Sequence, residues 1–266
     1  MPSRFIDRYG PWAVVAGASE GIGASFSRRL AGHGLNLVLL ARRTGPLESL
    51  GAELRKQHGV EVRTRSLDVG APDLLERLRN ATDDLDVGLV IYNAAYSPIG
   101  RFLDVELEDH FSVVDVNVRG PLIASHYFGR RLAARGKGGL ILMSSMSGFQ
   151  GTAMVANYAA TKSYDKILAE GLWYELREHG VDVLACVAGA TLTPSFVGST
   201  DRRPSSWLAR PMQPEEVTAQ ALDDLGKQPT GVSGRRNRFG STILARILPR
   251  GAAIRMVSKE TEHMYR

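Results

Sequence analysis

Thiol chemistry is almost absent from this chain: its 266 residues include one cysteine, Cys186. One thiol cannot close an internal disulfide, so a reducing compartment is expected, and the cytoplasm is the expected location. Cys186 lies in the apolar run 181–187, the setting of a buried, inert thiol rather than of a nucleophile. Long hydrophobic runs are missing as well. None approaches the roughly 18 apolar residues of a spanning helix, and the amino-terminal MPSRFIDRYGPW has no apolar signal core, so a soluble chain is expected. The six histidines show no metal-ligand spacing such as H-E-x-x-H, so no metal is expected. Aromatics are sparse at 7%, and no nucleic-acid reader motif interleaves them with basic residues. The net charge of +5 is therefore read as a solvated surface, and no nucleic-acid partner is expected.

Glycine, by contrast, is plentiful at 28 residues, beside a hydrophobic fraction of 44%. In a non-repetitive chain this points to many tight strand-to-helix turns. The first follows the apolar strand Trp12–Ala16: Gly17, Gly21 and Gly23 punctuate it, and Ile22, Phe26 and Leu30 then recur at helical spacing. Strand, glycine turn and helix are the setting of a dinucleotide fingerprint. Glycine lets the backbone approach a pyrophosphate, and a helix N-terminus offers unpaired N–H groups. The spacing is G-x-x-x-G-x-G, and close packing of a helix start is the alternative use of such glycines.

Residues 35–41 form a nearly all-apolar run, suited to a parallel strand buried on both faces, and end at Arg42 and Arg43. In a doubly wound sheet the end of the second strand meets the adenosine ribose. An acid there accepts from the 2′-OH of NAD, whereas arginine accommodates the 2′-phosphate of NADP. Positions 41–43 hold no acid, so NADP(H) is favoured over NAD(H). Two arginines that merely cap a strand are the alternative, and Glu20 nearby counts against a phosphate.

Helical and strand patterns then alternate. Helices are predicted over 47–57, 71–80, 104–135, 157–179 and 214–225, and strands over 60–65, Val87–Tyr92, 140–143 and Val181–Ala188. This alternation predicts an α/β fold: a single domain over 1–266 built on a doubly wound, Rossmann-type parallel sheet of about seven strands with helices on both faces. Ligands would bind at the carboxyl ends of the strands, where Asp68-Val69, Asn93-Ala94-Ala95, Thr191 and Thr193 also fall.

The stretch 140–172 gathers the chemistry: a strand ending at Ser144-Ser145, a loop, and a helix carrying Tyr158 and Lys162. Four residues apart on a helix, these two side chains share a face. An ammonium beside a phenol favours the phenolate, which makes a weak acid useful near neutral pH. Asn117 falls inside an apolar face of the 104–135 helix. It is read either as satisfied locally or as holding a kink and an ordered water.

From 193 to 213 the pattern is lost, which predicts a substrate lid at the ligand edge. Its Phe196, Trp207, Leu208 and Met212 point to an apolar substrate of some size, unless they close the core. A helical extension is expected over 240–266. In 239–256, apolar residues mix with Arg246, Arg250 and Arg255, which reads as an amphipathic helix packed on the body or on a second subunit rather than on a membrane.

These motifs, in this order, resemble a short-chain dehydrogenase/reductase over about residues 12–194. The glycine turn, Asp68-Val69, Tyr92-Asn93-Ala94-Ala95 for the family's N-N-A-G, Asn117, Ser145 and the Y-x-x-x-K of Tyr158 and Lys162 carry the resemblance. It implies a carbonyl–secondary alcohol oxidoreductase whose cofactor contacts are Gly17, Ser19, Glu20, Gly21, Ile22, Gly23, Arg42, Arg43, Asp68, Val69, Asn93, Ala94, Ala95, Tyr158, Lys162, Thr191 and Thr193. Tyr158 would donate the proton, Ser145 would hold the substrate oxygen, Lys162 would bind the nicotinamide ribose, and Asn117 would hold a water. The family's association through two long helices implies a homodimer or homotetramer. The chain departs from the pattern at Ala16, Tyr92, Ala95 and Ala188. Those changes leave a second reading, a non-catalytic nucleotide-binding or regulatory protein on the same fold, against which the placed acid argues.

Overall fold

A computed structural model describes residues 2–200, 210–243 and 247–265. In its first half the elements are α1 (Pro2–Tyr9), β1 (Trp12–Ala16), α2 (Gly21–Gly32), β2 (Asn36–Ala41), α3 (Thr44–His58), β3 (Val62–Ser66), α4 (Leu74–Thr82) and β4 (Val87–Tyr92). Then come α5 (Leu107–Val114), a π turn (Asp115–Arg119), α6 (Gly120–Arg135), β5 (Gly138–Ser145), a 3-10 turn (Met146–Phe149), α7 (Ala156–Leu176) and β6 (Val181–Ala188). The remainder holds α8 (Pro194–Ser199), α9 (Pro214–Asp224), β7 (Thr230–Val232), α10 (Arg235–Thr242) and α11 (Arg250–Tyr265).

Among the described residues the seven strands form one parallel sheet in the order β3-β2-β1-β4-β5-β6-β7. Alternation along each strand feeds two cores. In β2, Leu37 and Leu39 meet Phe26 of α2 and Leu47 of α3, while Val38 and Leu40 face the side covered by Leu78 of α4 and Phe128 of α6. The expected doubly wound architecture is therefore present. Its strand order reverses between β1 and β4, and a crevice opens at such a switch point.

Several boundaries differ from expectation for local reasons. A turn at Asp68, whose carboxylate accepts from the Gly70 N–H at 2.9 Å, delays α4 to Leu74. β5 is longer at both ends than 140–143, because pairing with β6 continues from Gly138↔Val181 to Ser145↔Ala188. α1 was not anticipated. It is anchored by Tyr9, whose hydroxyl donates to Asp182 at 2.6 Å, and by Arg8 on the same carboxylate. Within the stretch read as patternless, Thr193 caps α8 by accepting from the Phe196 N–H at 3.2 Å. The amphipathic stretch 239–256 is not one helix: α10 ends at Thr242 and α11 starts after Pro249. Trp207, Leu208 and Arg246 lie outside the described residues.

The helix expected over 104–135 is divided by the π turn. Pro121 has no N–H to give to the carbonyl four residues back, that of Asn117, so the α ladder is interrupted there. Tyr92, at the end of β4, braces the turn. Its hydroxyl donates to the Val116 carbonyl at 2.6 Å, and the ring is buried. Burial first, then the nearby Asp165 and Asp68 carboxylates, raises the Tyr92 pKa well above the usual phenol value. The phenol fits only because residue 120 is glycine: a Cβ there would lie 2.0 Å from the Tyr92 hydroxyl. Gly120→Ala should therefore cost about 1–3 kcal/mol, a fall of several degrees in melting temperature, and adding Tyr92→Phe should recover part of the loss. Equal melting temperatures for Gly120→Ala and the native chain would remove this constraint.

Candidate active site

The loops after β1 and β4 meet at the switch point. Gly17, at φ +79°, comes so near that a Cβ would lie 2.7 Å from the Ala94 nitrogen, and Asn93 Nδ2 donates to the Gly17 carbonyl at 3.0 Å. A Cβ on Gly23 would lie 2.0 Å from that same carbonyl. Gly17 and Gly23 thus make the close packing possible, the alternative raised for them. Ser19, Gly21 and Ile22 line an open cavity of about 900 Å³. Glu20, at the start of α2, makes no side-chain cap, and the first turn holds no acid. The first-turn N–H groups and the positive end of the helix dipole are left for an anion in the cavity.

At the end of β2, Arg43 pairs with Glu20 at 2.5 Å. The carboxylate that counted against a phosphate is thus engaged by the second arginine. Arg42 lines the cavity and has no carboxylate partner among the described residues. Asp68, Val69, Asn93, Ala94 and Ala95, beyond β3 and β4, border the same space. An uncapped helix start, strand ends in register and a switch-point crevice suit a dinucleotide.

The other end of the cavity is built by β5 and α7. The 3-10 turn presses on α7 at Gly148, where a Cβ would lie 2.8 Å from the Lys162 carbonyl. Ser144 is buried and donates to the Lys162 carbonyl at 2.6 Å. Ser145 is half-buried and accepts from the Ser147 N–H at 3.3 Å and the Ser147 hydroxyl at 3.0 Å. Its own O–H is unspent among the described residues and can donate to a ligand. Tyr158 lies in the first part of α7, and Lys162 Nζ sits 5.6 Å from the Tyr158 ring centroid. Lys162 donates to the Met143 carbonyl at 2.9 Å and to Asp165 at 2.9 Å. Burial works against its charge, but the Asp165 carboxylate and the Tyr158 phenol outweigh burial, and the ammonium pKa is raised. Burial pushes Asp165 upward too, against the pull of Lys162.

Asn117 is brought behind the cavity rather than into it. Its carboxamide accepts from the Tyr96 N–H at 2.8 Å and donates to the Tyr96 carbonyl at 2.9 Å and to Thr161 at 3.1 Å. Both readings offered for it hold in part, since the amide is satisfied and sits in a distorted turn. Thr191 and Thr193 border the cavity, with the Thr191 hydroxyl donating to the Gly189 carbonyl at 3.0 Å and Thr193 capping α8. Of the apolar residues proposed for the substrate side, Phe196 lines the cavity, whereas Met212 is buried in the core.

Sequence reasoning missed the wall made by α11. Met256, Val257, Glu260, Thr261, Met264 and Tyr265 all border the cavity. The helix docks on the loop before α7: Thr261 bonds Thr152 at 2.9 Å, and the Ala153 N–H donates to Ser258 at 3.1 Å. Burial raises the Tyr265 pKa, with the Tyr158 phenol as the next contributor, so two phenols face one space. The signal was the pairing of these residues at i, i+1, i+4, i+5, i+8 and i+9, a helical stripe that begins only at the end of 239–256.

A dinucleotide cradle sharing one cavity with a tyrosine and a buried lysine at the strand ends defines a nicotinamide-dependent oxidoreductase. Comparison with known proteins agrees. A family model described as short chain dehydrogenase matches residues 11–203. The 7beta-hydroxysteroid dehydrogenase of Clostridium sardiniense is 34% identical over 234 residues, covering 88% of this chain and 89% of that protein. A structure from work on 7beta-hydroxysteroid dehydrogenase stereoselectivity superposes with a TM-score of 0.89 at 31% identity, covering 95% of this chain and 98% of the other. A short-chain dehydrogenase from Sphingobium yanoikuyae in complex with NADPH gives 0.77 at 27% identity, covering 89% and 94%. The chain belongs to the short-chain dehydrogenase/reductase family and is an NAD(P)-dependent oxidoreductase. The non-catalytic alternative therefore falls.

The two serines make a direct test. Ser145→Ala should lower kcat for ketone reduction about 100-fold or more, as loss of a donor to the reacting oxygen does. Ser144→Ala should cost about 1 kcal/mol of stability and leave kcat nearly intact. The opposite ranking would move the substrate oxygen to Ser144.

Proposed function

We propose that this chain is an NADP(H)-preferring enzyme that interconverts a carbonyl and a secondary alcohol on large, apolar substrates of steroid size. The observation that carries this reading is the continuity of the cavity. It runs from the uncapped start of α2 and Arg42, past Ser145, Tyr158 and Lys162, to the wall made by α11. Its volume of about 900 Å³ is near the upper end of small-molecule sites, enough for a dinucleotide and a substrate together.

The residues present fit the cofactor. The α2 N–H groups would hold its pyrophosphate and Arg42 its 2′-phosphate, while Arg43 remains with Glu20. When bound, the nicotinamide donates or accepts the hydride. Tyr158 gives its proton to the substrate oxygen in reduction and takes one in oxidation, while the Ser145 hydroxyl donates to the same oxygen. Lys162 has three N–H donors and uses two on Met143 and Asp165, which leaves one for a ribose hydroxyl. Asn117 holds the π turn against Thr161 of α7, so its part is to seat the helix that carries Tyr158. We assign no water to it.

On the substrate side, Ile99, Val155, Phe196, Val257 and Met264 supply apolar surface, with α11 as the fixed wall; residues 201–209 of the lid expected over 193–213 lie outside the described residues. Similarity to 7beta-hydroxysteroid dehydrogenases supports a steroid-like substrate. A homodimer or homotetramer fits the exposed apolar residues Phe102, Leu103, Leu107, Phe111 and Leu122 near α5 and α6, with Ile167 and Tyr174 on α7. No helix among the described residues is long and apolar enough to cross a membrane. Cys186 is buried, with burial pushing its thiol up to about 12, and we place the chain in the cytoplasm.

Tyr158→Phe should bind NADPH as the native chain does and lose about 100-fold to 10,000-fold in turnover; full turnover in that variant would end this assignment. Arg42→Ala should raise KM for NADPH far more than for NADH, and equal losses would remove the phosphate contact. Among ketones scanned by NADPH consumption, steroid ketones should give the highest kcat/KM, and a preference for small ketones would argue against the α11 wall.

A further inference from the structure

Among the described residues Asp165 is the one acidic side chain buried outright, at 1% exposure. It lies on α7 three residues after Lys162 and so on the same face. One carboxylate oxygen accepts from Lys162 Nζ at 2.9 Å. The other is buried and has no hydrogen-bond partner among the described residues. An ion pair held in the interior is a poor source of stability, since a well-packed apolar pair of similar size usually folds as well or better. Its placement against the lysine of the active site points to another role.

We infer that Asp165 is a positioning residue, which fixes Lys162 Nζ in place and keeps it an ammonium through the alkaline range in which alcohol oxidation runs. The inference rests on the reading that Lys162 acts as the cation beside Tyr158. The lysine stem is long and flexible, and the Met143 carbonyl alone offers it a neutral acceptor. Titratable and charged groups surround the pair on several elements. Tyr158 and Tyr164 come from α7 itself, Tyr92 from the end of β4, and Arg119 from the π turn. Asp68 stands after β3, toward Tyr92, and Tyr265 of α11 faces Tyr158. Of the two groups whose charge acts on Lys162, Asp165 and Tyr158, the Asp165 carboxylate is the one that accepts a hydrogen bond from Nζ, at 2.9 Å. The sign follows from that. A counter-anion raises the folded-state pKa of a lysine, so its removal lets the proton leave at lower pH.

The test is a titration of ligand-free protein carrying 13C at lysine Cε, followed by NMR, with the Lys162 signal assigned by its loss in Lys162→Met. In the native chain the Lys162 midpoint should lie above those of the exposed lysines. In Asp165→Asn it should fall by about one to three pH units, and Asp165→Glu should restore part of the shift. The alkaline limb of kcat for alcohol oxidation should move down with the midpoint in Asp165→Asn and back in Asp165→Glu. An unchanged midpoint or an unmoved limb in Asp165→Asn would overturn the inference and leave Asp165 a packing residue. Should that variant not fold, the native titration still decides, because a Lys162 midpoint at or below those of the exposed lysines overturns the inference alone. The NMR readout needs no turnover, so its failure is distinct from a failure of the oxidoreductase roles, which Tyr158→Phe tests.

Discussion

The seat of α7 against the end of β5 is the constraint on which the site depends. Two bonds stitch it in opposite directions: Ser144 donates to the Lys162 carbonyl, and Lys162 Nζ donates to the Met143 carbonyl. Gly148 lets the chain pass so near that any side chain there would strike the α7 backbone. With strand end and helix locked at this distance, Ser144 is consumed by the lock, and Ser145, next along the strand, is left half-buried at the cavity. Tyr158 and Lys162 then need only helix geometry to share a face. A shift of α7 by even part of a turn would part the serine from the tyrosine, so the seat as a whole, rather than any one of its bonds, keeps the chemistry in place.

How much of this was legible in the sequence depended on how local each cause is. The sheet was legible because a strand buried on both faces must be apolar along most of its length, and the β1, β2, β4, β5 and β6 runs are. The pairing of Tyr158 with Lys162 was legible because spacing on a helix fixes direction. The π turn was written in Pro121, whose missing N–H acts on the carbonyl of Asn117, yet apolar periodicity ran through it and concealed the break. Asp165 was not legible, since an acid at i+3 on a helix is ordinarily exposed and only the packing of α7 on the sheet buries it. The wall made by α11 was least legible. Its contacts, Thr261 with Thr152 and Ser258 with Ala153, span more than a hundred residues of chain.

The departures from the family pattern are better understood as transferred bracing than as loss. Tyr92 stands where the resemblance implied asparagine, and its hydroxyl reaches across to Val116 in the π turn. The same turn is held from its other side by Arg119, which bonds Asp115 at 2.8 Å and also the Gly70 carbonyl. Asn93 still ties the β4 end to Gly17. Ala188 is paired with Ser145 across β5 and β6, where a small buried residue lets the two strand ends run level. The changes at Tyr92 and Ala188 therefore fall where a neighbouring contact or strand pairing supplies the rigidity, and Asn93 keeps β4 tied to β1.

The two ends of the cavity are built by different physics, and this separates what must stay fixed from what is free to vary. The dinucleotide end is made of backbone: glycines without side chains, an uncapped helix start and strand ends in register, all within the 11–203 span that the family model matches. Such a cradle tolerates little substitution, since a single Cβ at Gly17 or Gly23 meets a neighbouring main chain. The far end is made of side chains on α11, beyond that span, joined to the body by hydroxyl contacts at Thr152 and Ala153. Side-chain walls can change size and polarity without disturbing a backbone cradle. On the proposed reading, choice of substrate resides where the family pattern ends, and choice of cofactor where it is tightest.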